Sequence, residues 1–455
     1  MTAHRADGVN AGLGRVRIAS TAAAIVILAL GLVLAVVHVG QYRLLSPIDE
    51  WAHIDYLYKA ADGSIVRRGD LLGQGAMREL ACRGIDAEFG EIPCRPGGTY
   101  HPSEFYNLKH SQADHNPPTY YWLTAAAGRV VMGLGEDNLV DAGRVVGGLW
   151  LGLGLLVFWL AARRLQISPL ARGALIVLMG VTPAVVHAST TINTDATSLL
   201  AGSLVALGVI AWEERSIPAW LLAPASAFAV GTKVTGILPV LAAVAYLLIR
   251  GFARTRPVPD PKEAGGLVPN GDRQASLRAA AILLGGAAAS LVVWLLVHRA
   301  IQRVAVSPLI AFHRVESLSL GTILDQSGAL ITPIRSPHLP PFLERPDVEA
   351  IVQLFNVVLI ATAFGVFLWR VRVGRTEAWA MASGIVMLTG GMALTLANFL
   401  TERIFFPIPA RYGLGLLPML SLGLGGALRR PTVLWLVTAL AAVSSGVLAH
   451  ALWVA

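Results

Sequence analysis

A short polar segment after the first long apolar run carries side chains that could move a proton. Asp49 and Glu50 follow the apolar run 18–39 within a few residues. If the chain turns helical here, Asp49, His53 and Tyr56 fall at positions i, i+4 and i+7, on one helix face. A carboxylate beside an imidazole can act as a general base. This face is therefore a candidate catalytic surface at the edge of the membrane.

Helix capping gives the same acid a purely structural role. Ser46 suits a helix cap and Pro47 a first helical turn. The spacing Ser46-x-x-Asp49 also fits the capping-box pattern, in which the acid reaches back to a backbone N–H. From the residues alone, both roles of Asp49 stay open.

Two other short segments place polar residues beside apolar runs. In HASTTINTDATSLLAG (187–202), Asp195 stands at the start of a run. It could cap a helix or face the first acids across a cavity, since ionisable residues at membrane depth are often functional. In ADHNPPTYYWL (113–123), Asn-Pro-Pro breaks a helix. It either forms a plain loop-to-helix junction or lets His115 and Tyr120 line a polar cleft.

Three cations stand near the same predicted membrane face: Arg144, Lys233 and Arg411, the last next to Tyr412 in PIPARYGLG. Cations held at head-group depth could bind a phosphate or pyrophosphate. For each one alone, snorkelling to lipid phosphates is the alternative. Their predicted convergence with the two acidic segments favours a binding site.

Long apolar runs must position these residues. The chain is 55% hydrophobic and 14% charged, whereas a soluble domain is about one quarter charged. This composition excludes a soluble enzyme, a disordered chain and a secreted disulfide scaffold. A hydrocarbon core about 30 Å thick needs roughly 17–25 helical residues. Eleven runs qualify: 18–39, 145–161, 173–190, 196–212, 217–231, 234–249, 279–298, 350–369, 378–399, 412–428 and 431–450.

The distribution of basic residues predicts the orientation of these runs. With the N-terminus inside, every predicted inner loop is basic, as the positive-inside rule requires. The run 119–134 is short, carries Arg129 and follows a Pro pair, so we predict an interfacial or re-entrant helix instead of a twelfth span. The predicted fold is an all-α polytopic membrane protein with about 11 transmembrane helices and its C-terminus outside.

The predicted organisation has two membrane modules. After a cytoplasmic tail (1–17), the first module covers residues 18–249 and includes the outer loop 40–143. A flexible cytoplasmic loop (250–278) then leads to the second module, which covers residues 279–455 and includes the outer loop 299–349. Cys82 and Cys94 both fall in the first outer loop, and we predict a disulfide, since zinc would need further ligands nearby. The formal net charge of +8 reflects membrane topology, so we expect no nucleic-acid partner.

The order of these motifs resembles the C-type-fold glycosyltransferases, the superfamily of protein O-mannosyltransferases and bacterial lipid A aminoarabinose transferases. The shared elements are an Asp-Glu with a nearby His after the first span, Pro-Pro-x-Tyr-Tyr, x-Asp-Ala, a Thr-Lys turn and Ala-Arg-Tyr before a late span. The resemblance covers most of residues 18–428. It is greatest to poorly characterised bacterial members with a Pro-x-Asp-Glu-x-x-His start.

The resemblance implies a membrane glycosyltransferase that takes a sugar from a polyprenyl-phosphate donor on the extracytoplasmic face of the plasma membrane. It implies that Asp49 is the base, or a metal or acceptor contact, with Glu50 and His53 as neighbours. Asp195 corresponds to the second acid. The cations that match phosphate-holding positions are Arg144, Lys233 and Arg411, and the expected substrate-binding set also includes His53, His115, Tyr120 and Tyr412.

Some features depart from the better-known members, and other functions stay open. HNPP lacks the following Gly of the mannosyltransferases, and the chain ends near its last span. This leaves an unknown acceptor to residues 60–115 and 299–349. No cofactor is certain, although a divalent metal would fit two acids. The alternatives are a transporter or flippase of a lipid-linked glycan, which predicts polar helices near the bilayer midplane, and a non-catalytic scaffold subunit.

Overall fold

The computed structural model is all-α, as the sequence predicts. It describes residues 3–85, 92–105, 109–252, 272–304, 313–332, 346–368 and 374–454, and across these ranges β-structure is limited to isolated bridges. The described residues leave out most of the predicted flexible loop (250–278) and parts of the predicted outer loop 299–349. They also leave out five basic residues of the predicted inner loops: Arg254, Arg256, Lys262, Arg370 and Arg372.

The helices follow the apolar runs closely. They are α1 (Ala3–Gln41), α2 (Glu50–Ala61), α3 (Gln74–Cys82), α4 (Thr119–Gly133), α5 (Leu139–Arg164), α6 (Pro169–Val181), α7 (Pro183–Thr190), α8 (Ser198–Glu213), α9 (Leu222–Thr232), α10 (Ile237–Phe252), α11 (Arg273–Ile301), α12 (Leu320–Asp325), α13 (Pro346–Leu368), α14 (Arg375–Glu402), α15 (Leu417–Ala427) and α16 (Pro431–Val454). Short 3₁₀ turns precede α8, α9, α10 and α15.

The chain is a multi-pass membrane protein. Seven helices of the described residues are long and apolar enough to cross a membrane, and α6 with α7 makes an eighth if this pair, bent by 62°, is one span. Pro183 opens α7. A proline donates no backbone hydrogen bond and interrupts a helix, which accounts for the bend. The predicted runs 217–231, 350–369 and 412–428 also fall on helical segments, but the count of eleven spans stays a prediction.

The segment between α1 and α5, which the sequence predicts to lie outside, packs around its own apolar core. Leu45, Tyr56, Leu80 and Tyr121 belong to this core, which is separate from the core between the membrane helices. Helix α4 has 15 residues, so it is roughly 22 Å long and shorter than a hydrocarbon core. The predicted disulfide between Cys82 and Cys94 is present and ties α3 to the loop after it.

A glycine contact positions the turn that carries Arg411. A Cβ atom added to Gly202 in α8 would lie 2.0 Å from the carbonyl oxygen of Gly415. Only glycine permits such a close approach between two backbones. The 3₁₀ turn Ala410–Leu416 is therefore held against α8, next to the 3₁₀ turn Thr194–Thr197 that carries Asp195.

Candidate active site

Four charged residues from four separate parts of the chain form one chain of ion pairs. Nη2 of Arg411 lies 2.5 Å from Oδ2 of Asp49, and Nε of the same guanidinium lies 3.4 Å from Oδ2 of Asp195. Lys233 donates from Nζ to the other oxygen of Asp195. Two acids and two cations therefore alternate, and the group is electrically neutral as a whole. The structure thus brings together four of the residues that the sequence predicts to converge, whereas Arg144 lies elsewhere.

The backbone at Asp49 corrects the expected start of the second helix. The expectation that Ser46 caps a helix with Pro47 in its first turn is wrong, because α2 begins at Glu50. Asp49 is the N-cap residue with φ of 67°, and its side chain makes no capping hydrogen bond. Left-handed backbone is uncommon for a residue other than glycine and tends to occur at functional sites. The carboxylate is free of a capping role and turns to Arg411.

Asp49 is the accessible member of the ion-pair chain. Its side chain is 46% exposed, compared with 5% for Asp195. Burial raises the pKa of Asp49, but the charges of Arg411, His53 and Lys233 outweigh burial and hold the pKa below its ordinary value. The carboxylate is therefore ionised at neutral pH and partly exposed, so it can accept a proton from a bound group within hydrogen-bond reach.

Asp195 holds both cations in place. Its backbone N–H donates to Oδ1 of Asn193 at 2.8 Å, in the 3₁₀ turn before α8. Its two carboxylate oxygens are divided between Lys233 and Arg411. Tyr412 adds an aromatic ring 4.6 Å from Nζ of Lys233 and 5.7 Å from the guanidinium carbon of Arg411, a distance at which the ring face attracts a cation.

The two predicted histidines lie beside this group in different environments. His53 is buried, its Nδ1 shares a hydrogen bond with the Tyr121 hydroxyl, and burial lowers its pKa to about 4, so it is neutral at pH 7. His115 is exposed, and burial by the surrounding protein still lowers its pKa.

Glu50 and Arg144 form a separate, fully buried pair. Their side chains are 0% exposed, with contacts of 2.7 and 2.8 Å between the carboxylate and the guanidinium. Glu50 also accepts hydrogen bonds from the backbone N–H groups of Ser46 and Ile192, and Arg144 donates to the carbonyl oxygen of Tyr42. These two residues are not part of the ion-pair chain, because both are fully buried and neither contacts Asp49, Asp195, Lys233 or Arg411.

Tyr120 also lies away from solvent. It is 0% exposed and packs edge-on against Tyr121, with 5.1 Å between ring centroids. Sequence reasoning did not select Tyr121, which contacts His53 and stacks on Tyr56 at 3.9 Å between centroids. The Tyr-Tyr pair in the sequence was the available signal, but nothing in it distinguishes the residue that contacts the histidine.

A second buried cluster next to His115 was also missed. Asp114 is 1% exposed, and its Oδ2 lies 3.3 Å from Nε of Arg68 and 3.4 Å from Nε2 of His298. Arg68 also contacts Glu402 at 2.9 Å. This cluster ties the segment between α1 and α5 to the ends of α11 and α14. The signal in the sequence that could have indicated this cluster was Asp114 itself, the acid in ADHNPP.

The structure offers no ready-made metal site in the ranges it describes. Among those residues, no group of three or more His, Cys, Asp or Glu side chains is arranged to hold a metal ion. Asp49 and Asp195 each face a cation, which already neutralises them. A divalent metal stays a prediction.

Comparison with known proteins gives one family match and two structural likenesses. Residues 115–268 match the family described as dolichyl-phosphate-mannose-protein mannosyltransferase. None of the curated proteins compared with the chain matches it. The fold is similar to crystal structures of ArnT from Cupriavidus metallidurans in the apo state and bound to undecaprenyl phosphate. Each of the two structures is 18% identical to this chain in sequence, with a TM-score of 0.44. The similar region covers 92% of this chain for the apo structure and 91% for the bound structure. This chain spans 60% of the length of the chain in either structure.

The family match includes several residues of the candidate site. His115, Asp195 and Lys233 lie within the matched segment, whereas Asp49 and Arg411 lie outside it. For residues 115–268, the family match confirms the resemblance that the sequence motifs indicate.

Proposed function

We propose that the chain is a membrane glycosyltransferase that moves a sugar from a polyprenyl-phosphate donor to an acceptor on the extracytoplasmic face of the plasma membrane. The ion pair between Asp49 and Arg411, with Asp49 open to solvent, is the observation that carries this proposal. The family match supports the donor class, since its description names a sugar linked to dolichyl phosphate. The acceptor is a hydroxyl group of an envelope glycan, lipid or protein.

Asp49 acts as the general base in this proposal. The acceptor oxygen forms a bond with the anomeric carbon, the bond from that carbon to the phosphate oxygen breaks, and the proton of the acceptor passes to the Asp49 carboxylate. The polyprenyl phosphate leaves with the bonding electrons. A single displacement of this kind inverts the configuration at the anomeric carbon.

Arg411 and Lys233 hold the donor phosphate. Fixed cations stabilise the negative charge that grows on a leaving phosphate, and this lowers the barrier most where the cations are already oriented. Asp195 supplies the orientation, because it is buried and contacts both cations. We therefore assign Asp195 a positioning role, while Glu50 and Arg144, which lie in their own buried pair, stabilise the start of α2.

Donor binding also prepares the base. Arg411 is paired with Asp49. A donor phosphate competes for the same guanidinium, and the carboxylate that loses part of this partner binds a proton more readily, because a nearby cation lowers a carboxyl pKa. His115 and His53, both neutral at pH 7, remain as hydrogen-bonding groups for the sugar or the acceptor.

The transport alternative predicts a different distribution of charges. A transporter of lipid-linked glycans places its ionisable residues near the bilayer midplane, on broken helices of two related halves. Here Asp49, Asp195, Lys233 and Arg411 lie at helix ends. A non-catalytic scaffold subunit could keep the same arrangement, and only an activity measurement separates it from the transferase.

The test is a transfer assay with purified protein and a synthetic polyprenyl-phosphate sugar. Transferase activity releases free polyprenyl phosphate, together with a glycosylated product when a crude envelope fraction is added as acceptor source. Proteoliposomes with labelled donor in one leaflet test transport in parallel. Movement of intact donor between leaflets without release of polyprenyl phosphate would replace the proposed function with transport.

A further inference from the structure

Two arginines at the far end of α5 share one tryptophan. Arg163 in the last turn of α5 and Arg172 in α6 each place the guanidinium carbon 5.6 Å from the centre of the Trp159 ring. Arg163 is nineteen residues after Arg144 on the same helix, or roughly 28 Å along its axis. This pair therefore lies at the opposite end of the membrane helices from the candidate active site.

Two donor atoms of the Arg172 guanidinium have no hydrogen-bond partner. Its Nε and Nη1 are buried and have no hydrogen-bond partner, although Arg172 as a whole is half-buried and so remains reachable. Arg163 is exposed, and its Nη1 reaches the hydroxyl of Ser20 at 3.2 Å. The neighbouring Arg164, in contrast, has an acidic partner, because its guanidinium lies 2.7 Å from the Glu214 carboxylate.

This arrangement has a cost that an anion would remove. Unsatisfied donors below the surface cost free energy, and charged donors cost more than neutral ones. Two like charges beside one ring also repel each other. An indole face attracts each cation but neutralises neither of them. In the part of the chain that the structure describes, no carboxylate forms an ion pair with Arg163 or Arg172.

We propose that Arg163, Arg172 and Trp159 form a binding site for a phosphate group at the membrane face opposite the candidate active site. Guanidinium groups bind phosphate oxygens through paired N–H donors. The phosphate belongs to a phospholipid head group or to a free phosphate ion. Basic pockets between membrane helices bind anionic head groups in this way. The site is independent of the proposed glycosyltransferase function.

Native mass spectrometry of the full chain, purified in a neutral detergent, tests the lipid source. The probe is phosphatidylglycerol, and phosphatidylcholine serves as the comparison lipid. Phosphatidylglycerol affinity should fall about tenfold in Arg172→Gln and Arg163→Gln, as expected for the loss of one charged hydrogen-bonding partner. Arg215→Gln, which changes an exposed arginine at the same end of the helices, should retain the wild-type affinity.

Calorimetric titration with inorganic phosphate tests the other source. If phosphate alone binds, and binds more weakly in Arg172→Gln but not in Arg215→Gln, the site takes a free anion. If Arg172→Gln does not fold, Arg163→Gln and Trp159→Leu provide the same comparison. Equal lipid retention and equal phosphate binding in all variants would overturn the proposal, since the arginines would then only interact with the membrane surface in general.

Discussion

Arg411 and Asp49 are 362 positions apart in the chain and lie 2.5 Å apart in the folded protein, between Nη2 and Oδ2. The first outer segment and the turn before α15 thus meet at one point. Arg411 also contacts Asp195 at 3.4 Å. One guanidinium therefore links an accessible acid to a buried one, and this division of roles underlies the predictions below.

Replacing Arg411 should impair donor use more than folding. In Arg411→Gln, the leaving phosphate loses a fixed cation, and we expect kcat/KM to fall about 100-fold to 1,000-fold. Arg411→Lys should recover only part of the activity, because a lysine is a single point charge and cannot bridge two acids in the same way. Steady-state kinetics and direct binding of polyprenyl phosphate measure both effects. Wild-type donor affinity in Arg411→Gln would exclude the phosphate-binding role.

Asp195→Asn should behave as the loss of a positioning residue. Lys233 and Arg411 would lose their shared buried partner, so the KM for the donor should rise. The melting temperature should also fall, because removing one partner from a buried pair leaves an uncompensated charge. If the variant lost kcat alone, with unchanged donor KM and melting temperature, Asp195 would act on the reacting atoms instead.

The pair of Glu50 and Arg144 should matter for stability. Both side chains are 0% exposed, and breaking a buried pair on one side costs about 3–5 kcal/mol. Glu50→Ala and Arg144→Met should each lower the melting temperature strongly. Thermal unfolding in detergent, with Glu136→Gln as a control outside the pair, measures this effect. Normal stability combined with lost transfer would return both residues to the catalytic group.

The pH dependence of transfer should report on Asp49. Burial raises the pKa of Asp49, but Arg411 and the other cations lower it below the usual 3.8. The ionised base is then present throughout the neutral range, and its stabilising contribution is lost only as pH falls through the lowered value. In Arg411→Gln, the acid limb of kcat/KM should move to higher pH. Identical profiles for the two proteins would contradict the pairing.

His53 should leave no inflection in that profile. Burial lowers its pKa to about 4, so it does not titrate near pH 6.5. An inflection near 6.5 that disappears in His53→Gln would show that the histidine is solvated during the reaction.

The meeting of Asp195, Lys233 and Arg411 could be predicted from the sequence because charged residues are rare beside apolar runs, although the same reasoning wrongly added Arg144. Asp195, Lys233 and Arg411 stand out against such runs, and the topology placed them at one membrane face. It could not separate Glu50 from Asp49, because the two are adjacent and only the left-handed backbone at Asp49 sends their side chains to different partners. It also could not select Tyr121 or Asp114, whose roles depend on packing against His53 and His298.

The helices were predictable for a related reason. Apolar runs long enough to span a bilayer must be helical, since every backbone group needs an internal partner there. Their packing was not predictable. The close approach of Gly202 to Gly415, which holds the Arg411 turn against α8, has no distinct signal in a chain with 46 glycines.

Sugar transfer by Asp49→Asn, compared with Asp62→Asn, tests the central claim most directly. Asp62 follows α2 and has a side chain that is 83% exposed, so Asp62→Asn controls for the loss of an acid from the same segment. We predict that Asp49→Asn folds, binds polyprenyl phosphate and transfers no sugar, while Asp62→Asn transfers at the wild-type rate. Wild-type transfer by folded Asp49→Asn would contradict it.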